Sequence, residues 1–211
     1  MSTMLFESLS GDLMVDFPEY SNPPNDPISL LASKVKRAMR IGVREPLAMT
    51  LATANEKGQP SVRTMVIAEV SPRGLVFASH SSSRKGQELA ANPHAAALLY
   101  WRETSEQIAI RGRVDRLPQT VAERMWKARP PFTHAMSVAS RQSEPLSDIE
   151  RLRAVARGFA QMGPLDKPAS YTGYELIAEE IEFWASGTER LHERLVYRRS
   201  EPGWNVSRLQ P

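Results

Sequence analysis

The sequence predicts a mainly β protein, a single antiparallel barrel with peripheral helices. Apolar and polar residues alternate through several short runs, the pattern of strands half buried in a sheet. Short turns containing Gly or Pro join the early runs, which fits antiparallel hairpins rather than parallel βαβ units. The count is about seven strands and four helices, enough for one barrel with helices at its ends.

Residues 1–26 are polar and Pro-rich, with Pro18, Pro23 and Pro24 close together, and predict an extended N-terminal arm. Phe6, Leu13, Met14, Phe17 and Tyr20 give the arm apolar side chains that could pack on a partner surface. Residues 27–211 predict a single domain. Its first helix runs from Pro27 to Gly42. Asp26 caps it, Pro27 suits its first position, and Leu30, Leu31, Val35 and Met39 form an apolar stripe. Strands follow over 47–54, 61–70 and 75–79, with turns at Asn55–Gly58 and Ser71–Gly74, in the manner of a meander. A helix begins after Ser83 and ends before Pro93. Strands over 94–101 and 106–116 flank Arg102–Ser105. A helix over 118–128, a loop from Phe132 to Arg141 and a long helix over 146–162 come next. Charge pairing, Glu150 with Arg153 for example, supports that long helix, and packing or dimerisation is its expected role. Strands over 174–184, 190–199 and 204–209 complete the chain.

Composition removes several function classes. The 211 residues are 41% hydrophobic and 24% charged, ordinary values for a chain with a real core. No apolar run approaches a membrane span, and no basic region followed by an apolar core opens the chain, so a cytoplasmic protein is expected. Without cysteine there is no disulfide, thiolate nucleophile or thiolate metal site. A net charge of +3 without a basic-aromatic stripe speaks against nucleic acid. Most of the 27 cations are arginine, which suits carboxylates and phosphates but equally follows from genome composition.

Two stretches carry chemistry. After Ser81-Ser82-Ser83, Arg84 and Lys85 fall in the first turn of a helix, where cations oppose the helix dipole. Hydroxyls, free backbone N–H groups and two cations together predict a phosphate site, though not a Walker loop. Near the C-terminus, Arg190, His192 and Arg194 sit two residues apart. On a strand they would share one face and repel unless an anion lay across them; a solvated edge strand has the same spacing. The four histidines lack zinc-ligand spacing, no metal site is expected, and His80 and His94 read as surface or structural. No nucleophile elbow or carboxylate pair stands out. These side chains are suited to holding anions and a flat molecule, which points to a borrowed reactive group.

The motifs Arg63-Thr64-Met65-Val66, Ser83-Arg84-Lys85, Arg129-Pro130, Ser140-Arg141-Gln142-Ser143, Ile181-Glu182-Phe183-Trp184 and Arg190-Leu191-His192-Glu193-Arg194 recur in that order. They resemble the pyridoxamine/pyridoxine 5'-phosphate oxidases, FMN enzymes of the split-barrel fold, from about Arg44 to the closing Arg208-Leu209-Gln210-Pro211. The resemblance implies an FMN-binding split barrel, a homodimer with FMN at the subunit interface, and an oxidase passing electrons to O2 to give hydrogen peroxide. By motif, Arg63, Thr64, Met65, Val66, Ala78 and Ser79 would line the flavin, and Arg84 and Lys85 would bind its phosphate. Gln107, Gln142 and Ser143 would bond the ribityl chain or ring, with Trp184 and Arg194 flanking the flavin. Arg129, Thr133, Arg190 and His192 fall where that family grips its substrate.

Two positions depart from the vitamin B6 enzymes. Ala68 stands where they carry a Lys, and Met125 where they carry a Tyr, both of which help hold a substrate phosphate there. Their loss weakens a dianion site and leaves room for a larger, more apolar molecule. The whole chain, including Glu7-Ser8-Leu9-Ser10-Gly11 and Phe17-Pro18-Glu19-Tyr20, is similar to the flavin oxidases of phenazine biosynthesis. That resemblance implies oxidation of reduced phenazine carboxylates, such as tetrahydrophenazine-1-carboxylate or hexahydrophenazine-1,6-dicarboxylate. Vitamin B6 oxidation is the alternative, and a flavin-binding module without catalysis is the alternative of another class.

Overall fold

The computed structural model describes Leu13 and residues 15–211; Phe6 and Met14 of the arm lie outside them. Two helices precede the sheet, α1 (Pro18–Ser21) and α2 (Pro27–Arg40). The strands are β1 (Ala48–Ala54), β2 (Pro60–Val66), β3 (Glu69–Ser71), β4 (Gly74–His80), β5 (His94–Trp101), β6 (Glu106–Arg116), β7 (Tyr171–Ala185), β8 (Glu193–Ser200) and β9 (Gly203–Arg208). Among them lie α3 (Arg84–Ala91), α4 (Gln119–Ala128), α5 (His134–Ala139) and α6 (Ile149–Ala160). Every strand pairing is antiparallel, and the mainly β barrel expected from the alternation is what forms.

The connectivity is not the simple meander that the spacing suggests. The sheet runs β2-β1-β5-β6-β7-β4-β3, and β8 and β9 branch from β7. The expected single strand over 61–70 is two strands on different partners. The Ile67 N–H donates to Leu47 O at 2.9 Å, and the next N–H, of Ala68, donates to Val76 O at 2.8 Å. One stretch of chain therefore leaves β1 and joins β4 within two residues, bringing the two ends of the sheet together. β7 forks the other side: its first half pairs β4 and its second half pairs β8, while β6 runs along its other edge.

Side chains pointing inward fill the barrel. Leu51, Leu75, Leu99, Ile110, Leu176 and Ile181 are completely buried, each worth about 1.5–3 kcal/mol of apolar transfer. At Gly112 the β6–β7 register slips, with Arg111 opposite Glu180 but Gly112 opposite Ala178. A Cβ on Gly112 would lie 1.9 Å from Ile177 O, so this bulge requires glycine.

The described part of the N-terminal segment packs on this chain's own core. Phe17 is buried in this chain's own core and Tyr20 packs against it. Lys34 sits 4.2 Å over the Phe17 ring, 3.5 Å from Glu19 Oε2 and 3.4 Å from Glu106 Oε1. Arg37 completes this buried cluster by pairing with Glu106. Burial pushes the Lys34 pKa down, against the pull of Glu106. Tyr197 Oη donates to Pro24 O at 2.9 Å. Asp26 caps α2 by accepting from the Ile28 N–H, as its position predicts.

Residues 132–141 are not a loop. A 3₁₀ turn at Pro131–Thr133 leads into α5. What fixes this helix is tertiary: the buried His134 ring stacks on Trp126 with centroids 4.2 Å apart. The Leu165 N–H donates to His134 Nδ1, and His134 Nε2 donates to Trp126 O. The expected helix over 146–162 is the shorter α6, begun by the Asp148 cap; its Glu150–Arg153 pair is three residues apart. The described residues hold nine strands and six α-helices rather than about seven and four. No described helix is long and apolar enough to cross a membrane.

Candidate functional site

A cleft of about 880 Å³ opens beside the junction of β2 and β3. Met65, Val66, Ile67, Ala68 and Glu69 form one wall. α4 forms the facing wall through Val121, Arg124, Met125 and Ala128, residues spaced three and four apart on one helical face. Ala78, Ser79, His80 and Tyr171 come from strands behind it, and Arg129, Ser137 and Gln142 from the segments after α4. The cleft thus gathers Met65, Val66, Ala78, Ser79, Gln142 and Arg129 of the expected set. It also contains both departures, Ala68 and Met125. His80, expected at the surface or in a structural role, lines this cleft; its Nδ1 lies 2.9 Å from Ser170 Oγ, and burial, with Arg129 and Lys85 nearby, lowers its pKa.

At one end of the cleft lies a cluster of cations. Ser83 caps α3 by accepting from the Gly86 N–H, as predicted. Lys85 is buried, and its Nζ donates to Ser79 Oγ at 3.0 Å and Gln142 Oε1 at 2.9 Å. Arg63 donates from Nη1 to Thr53 Oγ1 at 2.6 Å and to Leu51 O at 3.1 Å. Arg84 Nε donates to Glu88 Oε1 at 2.9 Å, and its backbone N–H donates to Ser143 Oγ at 3.2 Å. Thr64 is exposed on the outer face of β2.

Glu88 is the residue that motif reading missed. It is buried, accepts from Thr53, Ser61, Arg63 and Arg84, and anchors the cluster. Burial opposes its ionisation, but these donors prevail and hold its carboxyl at about 2. The available signal was its place four residues after Arg84 on a helix. Desolvation, and then Arg63, lower Lys85 to about 8, with Glu88 opposing. Three cations around one carboxylate leave positive charge that an anionic group would neutralise. The serine hydroxyls of 81–83 are not all free: Ser83 Oγ donates to His80 O.

The remaining candidates lie elsewhere. A second, smaller hollow of about 290 Å³ is lined by Gln107, Ala109, Glu182, Trp184, Arg194 and Pro211. It opens on the outer face of β6, β7 and β8. Arg194 Nε donates to Glu182 Oε1 at 2.7 Å, and the Trp184 ring lies 4.8 Å from the His192 ring. Arg190, His192 and Arg194 do not share a strand face. β8 begins only at Glu193, and Arg190 ends a 3₁₀ turn with a φ of 64°. The turn is too tight for an extended strand: a Cβ on Gly187 would lie 1.8 Å from Leu191 O. The substrate candidates divide accordingly. Arg129 donates to Thr133 O and Ser137 Oγ and stacks over Trp126 and Tyr171, whereas half-buried His192 packs against Trp184 of the second hollow and Arg190 is exposed at the end of the 3₁₀ turn. The Thr133 hydroxyl is used locally, donating to Pro130 O.

Fold and site define a split-barrel protein whose candidate groups fall into two separated halves. Residues 35–162 match the pyridoxamine 5'-phosphate oxidase family, and residues 171–211 the pyridoxine 5'-phosphate oxidase C-terminal dimerisation region. The chain belongs to the pyridoxamine 5'-phosphate oxidase family. It is 51% identical over 97% of its length to a dihydrophenazinedicarboxylate synthase of Pseudomonas chlororaphis, covering 93% of that protein. It is 40% identical to a pyridoxine/pyridoxamine 5'-phosphate oxidase of Gluconobacter oxydans, over 88% of this chain and 94% of that one. The crystal structure of PhzG from Burkholderia lata, in complex with tetrahydrophenazine-1-carboxylic acid, superposes with a TM-score of 0.92 and 43% identity, over 95% of this chain and 100% of that one.

Proposed function

We propose that this protein is an FMN-dependent oxidase that aromatises reduced phenazine carboxylates. The observation that carries the reading is the cleft itself. Ala68 and Met125, which replace the cation and hydroxyl of a substrate-phosphate site, both line it beside Val66, Ile67 and Val121, and Arg129 lines the same cleft. Such a slot suits a flat ring system bearing a carboxylate better than a phosphate dianion. The names of the relatives that cover nearly the whole chain support the same choice.

The residues present fit FMN. Arg63, Arg84 and Lys85 would hold its phosphate, with excess positive charge already concentrated there. Met65, Val66, Ala78, Ser79, Gln142 and Ser143 would hold the ring and ribityl chain from the same subunit. Gln107, Trp184 and Arg194 lie on the outer sheet face and would close the site from a second subunit. That outer face supports a homodimer: Val62 and Val66 are 68% and 65% exposed on it, large apolar areas for an edge strand. FMN bound there supplies the hydride acceptor, with O2 as final acceptor.

The chain's own groups position the substrate. Arg129 is held in place by Thr133 O and Ser137 Oγ and by two aromatic rings, so its remaining N–H groups are pre-organised for a carboxylate. The apolar walls, Ile67, Val76, Leu117 and Val121, exclude water from the ring system. Arg190 and His192 would reach the substrate from the partner side. Aromatisation drives the reaction, so no strong base is required. The test is direct. Purified protein should show flavin absorbance that bleaches anaerobically on adding reduced phenazine carboxylate and returns with O2. Bleaching by pyridoxine 5'-phosphate instead would restore the vitamin reading, and a yellow protein that none of these reduces would leave only flavin binding.

A further inference from the structure

Helix α4 presents one face to the cleft, and three of the four residues on it are apolar: Val121, Met125 and Ala128. The fourth is Arg124. Its neighbours Ala122 and Trp126 point the other way and are buried. Arg124 lines the cleft yet forms no ion pair with any described residue. Glu69, on β3, lines the same cleft, and no ion pair joins it to Arg124. Arg124 is exposed, so its guanidinium lines the cleft from the solvent side without a protein anion and can take one from solution.

Arg129 lines the same cleft just past the end of α4, where the chain has turned extended. The two arginines are prepared differently. Arg129 is locked by Thr133 O, Ser137 Oγ and two rings, whereas Arg124 is free to follow its ligand. Two guanidiniums lining one cleft, one on α4 and one beyond its end, match a flat molecule with a carboxylate at each end. A monocarboxylate needs only one of them.

We propose that Arg124 is a specificity residue: it binds the second carboxylate of a dicarboxylated tricyclic substrate while Arg129 holds the first. The proposal rests on the oxidase reading above and deepens it.

The experiment uses the FMN-loaded protein. Phenazine-1,6-dicarboxylate and phenazine-1-carboxylate are titrated against wild type, Arg124→Gln, Arg124→Lys and Glu69→Gln, following the flavin spectrum. KM and kcat are measured with the corresponding reduced compounds. Arg124→Gln should weaken the dicarboxylate about tenfold, in Kd and KM, with kcat and flavin content unchanged. The monocarboxylate should move by less than about twofold, and Arg124→Lys should retain part of the discrimination. Equal weakening of both ligands, or of neither, overturns the assignment. So does an identical effect from Glu69→Gln, which would make Arg124 a partner of Glu69. A wild type that binds neither phenazine and oxidises neither reduced compound overturns the oxidase reading itself, a result recognisable before any variant is made.

Discussion

At the scale of single residues, Lys85 and Glu88 divide the electrostatic work. Lys85 carries its charge below about pH 8 and loses it above, because burial and Arg63 outweigh Glu88. If it holds a phosphate dianion, FMN affinity of the apoprotein should be level between about pH 7 and 8 and fall above 8, by up to about tenfold per pH unit. Lys85→Gln should bind more weakly and lose that slope; fluorescence titration of FMN against pH reads both. Glu88 has the opposite sign. Its carboxyl is held at about 2 against an ordinary 4.5, so its contribution to stability is full above 4.5 and is lost as pH falls from there toward 2. Glu88→Gln should cost about 1–3 kcal/mol at neutral pH, by leaving Arg63 and Arg84 without their anion, and should flatten the acid limb of the unfolding curve. The sequence showed Lys85 through the serine-rich helix start, because a cap and a first-turn charge are local. Glu88 was hidden because its partners Thr53, Ser61 and Arg63 come from two strands far away in the chain.

At the scale of elements, strands bounded by clear turn residues were readable to the residue: β5 and β6 have the limits that alternation gives them. The break between β2 and β3 was not, since alternation passes through Ile67 and Ala68 unchanged while the hydrogen-bond partner switches. α5 escaped for a related reason, its anchor being the stack of His134 on Trp126 rather than a periodic stripe. The trio at 190–194 failed because a strand was assumed where Gly187 folds the chain into a turn. Two predictions belong here. Gly112→Ala forces a methyl onto Ile177 O and should cost about 3 kcal/mol or more, measured by denaturant unfolding. Ala68→Lys with Met125→Tyr rebuilds the lost phosphate contacts in the cleft. That double variant should oxidise pyridoxine 5'-phosphate with a KM at least about tenfold below wild type, and should lose phenazine carboxylate turnover.

For the molecule as a whole, the two hollows lie apart, a separation that no local pattern could reveal. Motifs listed along a chain say nothing about which face of a sheet they share. If one site takes its halves from two subunits, variants damaged in opposite halves should complement each other. Lys85→Gln and Trp184→Ala, each inactive alone, should on co-expression regain activity corresponding to about a quarter of the sites, since half the dimers are mixed and each mixed dimer has one intact site. Simple additivity of two inactive proteins would show that each chain carries its own complete site. The barrel's closure has a further consequence, for divergence between relatives. At the seam, the Ala68 backbone N–H holds the sheet together while its exposed side chain lines the cleft. Inheritance can therefore rewrite the chemical preference of position 68 while the hydrogen bond that closes the fold is passed on untouched. Substitutions there should leave unfolding free energy within about 0.5 kcal/mol, so that one ancestral barrel can change its diet by drift at its own seam.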